Sequence, residues 1–204
     1  MRKSFKNVLG VLVALILLSL LVFMWYKYFQ NKEVEIEVVD SVKEYGYTLD
    51  DRDTSYMKSV FSDLKKVLNE KEVDYDKYAC DITKLFISDL FTLDNKINKY
   101  DVGGFDYIYP DKVDNYKLNV TNTLYKYMEN NINGNRKQKL PVVSDVLIND
   151  EKDLKYKIGE DEFDAKELNI EIKYESDLGY DDKAKVICII KDKKVYIAEY
   201  KVED

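Results

Sequence analysis

Apolar residues run without a charge from Val8 to Trp25 (VLGVLVALILLSLLVFMW), and no comparable block recurs in the chain. As a helix, at 1.5 Å per residue, this block is roughly 27 Å long, close to the ~30 Å hydrocarbon core of a bilayer. Arg2, Lys3 and Lys6 precede it, while Trp25, Tyr26 and Tyr28 close it beside Lys27. That arrangement matches the basic and aromatic borders of a membrane span. The pattern predicts a tail over residues 1–7, a transmembrane anchor over 8–28 and a separate domain over 29–204. A cleaved signal peptide fits less well, because its apolar core is shorter and ends at a small-x-small site. Here the bulky Trp25-Tyr26-Lys27-Tyr28 follows instead. A buried core helix would keep a polar face, and this block has none. Basic residues before the helix predict a cytoplasmic N-terminus and an extracytoplasmic domain.

Beyond the anchor the period changes twice. Glu33–Val39, EVEIEVV, alternates acids with Val34, Ile36 and Val38, which predicts a half-buried strand. Gly46 interrupts a second extended stretch, Val42–Leu49. Spacings of three and four then predict three helices. The first buries Met57, Val60, Phe61, Leu64 and Leu68, with Asp51 or Asp53 as its N-cap. The second spans about Asp74–Leu93, capped by Asp74. The third, about Asp111–Asn130, follows Pro110 and buries Val113, Tyr116, Val120, Leu124, Tyr127 and Met128. Residues 130–139, NNINGNRKQK, read as a polar loop.

From Leu140 onward the period is two. Strands are expected at Val142–Ile148, Leu154–Ile158, Lys166–Glu175, Ala184–Ile190 and Val195–Val202, with acidic turns between them and a tight hairpin at Lys191–Lys194. KELNIEIKYE places Leu168, Ile170, Ile172 and Tyr174 on one face and polar residues on the other, so one sheet face is expected to be wet. Helices followed by an antiparallel meander with one buried face define an α+β fold, with about three helices packed on a curved antiparallel sheet.

Charge narrows the partners. All 39 acidic residues lie after Tyr28, whereas four of the 32 basic ones precede or adjoin the anchor, leaving the domain at net −11. A surface of that sign disfavours nucleic acid. The abundance of Lys, Asn, Ile and Tyr suggests an AT-rich genome, so the 18 tyrosines need not mark a binding surface. Cys80 and Cys188 sit in helical and strand patterns; two buried free thiols and a helix-to-sheet disulfide both fit.

Candidate chemistry is sparse. The chain has no histidine, so triads and metal sites built on imidazole are excluded. The acidic clusters Asp50–Asp53, Asp145–Asp153, Glu160–Asp164 and Asp177–Asp182 lack the spacing of a calcium loop and read as caps and turns. Asn119-Val120-Thr121 matches a glycosylation sequon but falls in a predicted helix. No catalytic residue, metal ligand or cofactor is assigned.

The most distinctive non-periodic stretch is YDVGGFDYIYP, residues 100–110. Its Tyr100, Gly103, Gly104, Phe105, Tyr107 and Tyr109 form a candidate interaction loop, in which glycines permit a tight turn and tyrosines supply contact area at low entropic cost. The same aromatics could instead plug the open end of the sheet.

The order anchor, helices, antiparallel sheet over residues 50–204 resembles the NTF2-like fold, and within it the extracytoplasmic domains of VirB8-type and TcpC-type conjugation proteins. The stretch DITKLFISDLFTLDNKINKYDVGGFDYIY, residues 81–109, is similar to uncharacterised single-pass membrane proteins of low-GC Gram-positive bacteria and mollicutes. The first resemblance implies a non-enzymatic scaffold in a cell-envelope, conjugation or secretion complex. Its partners would be the lipid bilayer through residues 8–28 and a second protein or a second copy of the chain. An NTF2-like pocket for a small ligand is the alternative.

Overall fold

The structure is a computed structural model that describes residues 15–26 and 37–202. Helix α1 occupies residues 15–26, and its large apolar side chains are between 51% and 67% exposed. Among the described residues no helix is long and apolar enough to cross a membrane. The anchor expected over 8–28 lies only partly within them, and the tail over 1–7 lies outside. So do Val34 and Ile36 of the expected first strand.

From Glu37 the chain forms a second unit. Strand β1 (Val38–Val42) pairs antiparallel with β2 (Tyr47–Asp50), and Gly46 turns between them at φ 71°. The expected inward valine, Val38, is 55% exposed; Tyr47 and Leu49 of β2 supply the burial instead. The Tyr47 hydroxyl donates to the Val195 carbonyl at 3.0 Å and lies 2.8 Å from the Tyr78 hydroxyl, so one side chain pins the hairpin to a helix and to the sheet.

Helix α2 (Ser55–Leu68) buries the stripe its period predicts. Its N-cap is neither Asp51 nor Asp53 but Thr54, whose Oγ1 accepts from the Met57 N–H at 3.2 Å. Asp53 turns back and accepts from the Asp50 N–H at 2.7 Å, leaving the helix end to its neighbour. Helix α3 (Tyr75–Phe91) starts where predicted, with Asp74 accepting from the Asp76 and Lys77 N–H groups. It lies between α2 and the sheet, so Tyr78, Ile82, Leu85, Phe86 and even Thr83 and Ser88 are buried.

Helix α4 is the largest departure from the sequence pattern. It covers only Val113–Asn122, against the expected 111–130. At Thr123 the backbone leaves helical geometry (φ −120°, ψ −91°). Tyr125, absent from the expected buried stripe, is fully buried, and Tyr127, expected inside, is 77% exposed. The cause is the Tyr125 hydroxyl, which donates to the Leu90 carbonyl at 2.8 Å and accepts from the Gly103 N–H at 3.3 Å. A continuous helix would carry that side chain off the core.

Four strands, β3 (Val143–Ile158), β4 (Asp161–Tyr174), β5 (Lys183–Lys191) and β6 (Lys194–Val202), form an antiparallel sheet in the order β3-β4-β5-β6. The fold class is therefore α+β, as the sequence predicts. Two expected strands are fused into β3, and the acidic segment between them is no turn but a bulged stretch of strand near Ile148–Asp150. One of its charges is met laterally: Asp153 accepts from the Lys166 ammonium at 2.5 Å across the ladder. Gly159 (φ 64°) and Glu160 make the actual turn, while Asp192 and Lys193, at φ 51° and 65°, make the predicted β5–β6 turn.

Leu168, Ile170 and Ile172 point into the main core as predicted. The other face is not uniformly wet. Ala165, Ile187 and Ile189 are buried there with Tyr109, flanked by Phe163 and Tyr196, as a second apolar cluster.

Replacing the true cap should be felt and replacing the predicted one should not. Thr54→Ala is expected to cost about 1 kcal/mol in urea titration, and Asp51→Ala no more than a few tenths. Equal effects would contradict the capping assignment.

Candidate functional site

Glycine chemistry decides how the 100–110 segment sits. At Gly103 a β-carbon would lie 2.1 Å from the Asp89 carbonyl oxygen, so only glycine can approach the α3 backbone there. Gly104 has φ 78° and is wedged against Phe86 and the Tyr116 hydroxyl. The Asp89 carboxylate then holds the loop from two sides. One oxygen accepts from the Gly104 N–H at 2.6 Å, and the other pairs with the Lys96 ammonium. Lys96 is only 4% exposed. Burial opposes its charge, but Asp89 more than compensates and raises its pKa above the ordinary lysine range.

Further ionic contacts extend this knot. Arg52 reaches Asp101 at 2.6 Å, and Asp101 also accepts from the Ile97 N–H at 2.9 Å. Burial works to raise the Asp101 pKa, yet these contacts leave it below the usual carboxylate value. Asp53 behaves oppositely. Its burial, with Asp50 and Asp89 as like-charged neighbours, pushes its pKa up to about 7 despite the Asp50 N–H bond and the Lys96 charge.

The six residues of the candidate loop have unequal fates. Gly103 and Gly104 are buried structural positions. Tyr107 and Tyr109 are 5% and 4% exposed, the first packed on Tyr47 with ring centroids 5.6 Å apart and the second on the outer sheet face. Phe105 is half-buried beneath the Lys117 ammonium, 3.5 Å from its ring centroid. Tyr100 alone presents an exposed ring, at 57%. What the loop mainly does is hold its neighbours. Tyr116 of α4 donates to the Gly103 carbonyl at 2.7 Å, and the Tyr109 N–H bonds the Ile197 carbonyl of β6 at 3.0 Å.

Between α4 and β6, directly beyond that attachment, an open groove of about 800 Å³ remains. Phe86, Leu90 and Phe91 of α3 give it an apolar floor, and Ile197, Ala198 and Tyr200 form one wall. The other wall is the face of α4 carrying Asn115, Leu118 and Asn119. Both asparagines are exposed, and their side-chain amides make no hydrogen bond among the described residues. The Tyr200 hydroxyl is buried without a hydrogen-bond partner among the described residues, and burial raises its pKa. Lys112 and Asp181 lie at the groove rim and join no ion pair among the described residues. Sequence reasoning missed this site; its one trace was Asn115, Asn119 and Asn122 at spacings of four and three, on a helix with few buried residues.

Among the described residues no group of three or more Cys, Asp or Glu side chains is poised to hold a metal. Both cysteines are free. Burial pushes the Cys80 thiol up to about 11, helped by Glu151, and the Cys188 thiol up to about 12 against a 3.2 Å contact with Thr83 Oγ1. Neither is an available thiolate at neutral pH. No family model matches the chain, and neither the curated proteins nor the solved structures compared with it contain a match.

Gly103→Ala should destabilise the domain by about 3 kcal/mol or prevent folding, since the clash is with backbone; Gly134→Ala, with open space around its α-carbon, should cost less in the same denaturation assay. Asp53 predicts a pH effect. Between its ordinary 3.8 and about 7 the folded state holds a proton that the unfolded state has lost, so stability falls as pH rises through that window. Asp53→Asn keeps the acceptor and removes the titration. Its melting temperature relative to wild type should be higher at pH 8 than at pH 5; parallel profiles would exclude a protonated Asp53.

Proposed function

We propose that the chain is a membrane-anchored, extracytoplasmic interaction domain of NTF2-like kind that holds a protein partner in the α4–β6 groove and does no chemistry on it. The observation that carries this reading is the groove itself: an apolar floor, walls of uncommitted amide and backbone groups, and an open mouth. Partner surfaces combine such an apolar centre with a polar rim. The apolar block ending at Trp25 supports the anchor, as do the exposed leucines of α1. The order of helices followed by an antiparallel meander supports the likeness to VirB8-type and TcpC-type domains, and with it a place in an envelope or transfer complex.

One observation favours a second reading. The groove's volume falls within the ~300–1,000 Å³ of small-molecule sites, and the orphan Tyr200 hydroxyl would suit a polar ligand atom. The main sheet face is filled by α3, so such a ligand would occupy the flank and not a hollow cone.

A photo-crosslinking residue at Leu118, on the groove rim and 62% exposed, distinguishes the two. In native membranes it should yield discrete protein adducts that Asn119→Trp, which fills the groove, abolishes. Adducts insensitive to that variant would overturn the groove assignment. Adducts with small molecules alone would transfer the site to the second reading.

A further inference from the structure

The two edges of the sheet are treated differently. The β3 edge carries Asp145, Asp150, Glu151, Lys152 and Asp153 and is broken by bulges. Charges and bulges of that sort keep foreign strands away. The β6 edge is less guarded: beyond Ile197 it has one bulge, at Ala198, and two charges, Glu199 and Lys201. It is engaged at one rung, where Ile108 pairs with Ile197 in parallel and the Tyr109 N–H is bonded to the Ile197 carbonyl. Pro110 then ends the pairing and turns the chain into α4. From Ala198 to Val202 no strand pairs with the outer side of β6 among the described residues, and this length faces the groove.

Resting on the interaction reading above, we propose that the groove takes an extended polypeptide segment, which adds to the β6 edge beyond Ile197 as a further strand. The chain itself provides the first rung through Ile108 and Tyr109, and the occupant continues that line. Its backbone amides meet the unpaired N–H and C=O groups of β6, the chemistry that fixes strand addition. On the opposite wall Asn115 and Asn119, one helical turn apart, offer uncommitted carboxamides to the segment's outward-facing groups. The apolar floor receives alternate side chains, because successive residues of a strand point to opposite faces.

Charge sets the segment's polarity. Lys112 sits three residues after Tyr109, at the Ile197 end. Asp181 lies just before β5, whose Ala184 pairs with Val202 at the other end. The occupant therefore carries an acidic residue beside Lys112 and a basic one about five residues away. A polyanion is disfavoured by Asp181 and by the net charge of the domain.

The test uses the full chain in detergent micelles and a displayed library of random nonapeptides, counter-selected on Asn119→Trp. Enriched peptides should bind wild type about tenfold or more tightly than the variant. N-methylation of alternate backbone amides should abolish binding in one register and spare it in the other. Amide hydrogen exchange at Ala198–Val202 should slow in the complex. Failure to enrich any peptide overturns the proposal, as do tolerance of N-methylation in both registers and unchanged exchange at the β6 edge. Concentration-dependent dimerisation lost in Asn119→Trp would assign the groove to a second copy instead. If Leu118 crosslinks a protein in membranes while the β6 amides exchange unchanged, strand addition fails and the broader interaction reading stands.

Discussion

The carboxylate of Asp89 is the point on which the functional half of the molecule depends. Near the end of α3, it takes the Lys96 ammonium on one oxygen and the Gly104 N–H on the other, while its own backbone carbonyl admits nothing larger than glycine at position 103. Removing either partner from a buried ion pair leaves an uncompensated charge, at a cost of about 3–5 kcal/mol. The loop's course is thereby fixed, and with it the place where Ile108 meets β6 and where α4 begins. The groove exists because the loop is held at one end and α4 is released from the core at the other.

Tyrosine is the second device. In a chain with so many, the body of the ring fills core volume while the hydroxyl bonds a backbone group that would otherwise be orphaned. Tyr47, Tyr116 and Tyr125 each reach a carbonyl on a different element. Composition alone cannot separate such tyrosines from a binding surface, since both roles need the same amphipathic side chain.

Much of the fold is legible in the sequence because burial there follows a single period. Leu168, Ile170 and Ile172 alternate cleanly, and the stripe of α2 recurs at three and four. Legibility fails where tertiary contacts override the local pattern. Asn149–Asp153 looks like a turn, since acids there have no local reason to be extended; they are strand residues because β4 pairs opposite them. α4 ends early because the Tyr125 hydroxyl has partners twenty and more residues away. The buried Arg136, donating to the Lys96 carbonyl at 2.8 Å, sits in a segment that reads as solvated loop. The groove was illegible for the same reason: its walls come from elements about 80 residues apart in sequence, and what makes it a site is an edge left unpaired, which no residue type records.

Ile108 and Tyr109 carry a consequence for the whole domain. Being neighbours in an extended stretch, they point to opposite sides of the sheet: Ile108 belongs to the main core and Tyr109 to the outer cluster with Ala165, Phe163 and Ile189. The outer cluster is small and on its own would open at little free-energy cost. Threaded through the sheet edge by one dipeptide, it cannot open without also withdrawing Ile108 and loosening the start of α4. The two faces therefore share one cooperative unfolding unit, and the rigidity of the groove's near end is set from behind the sheet.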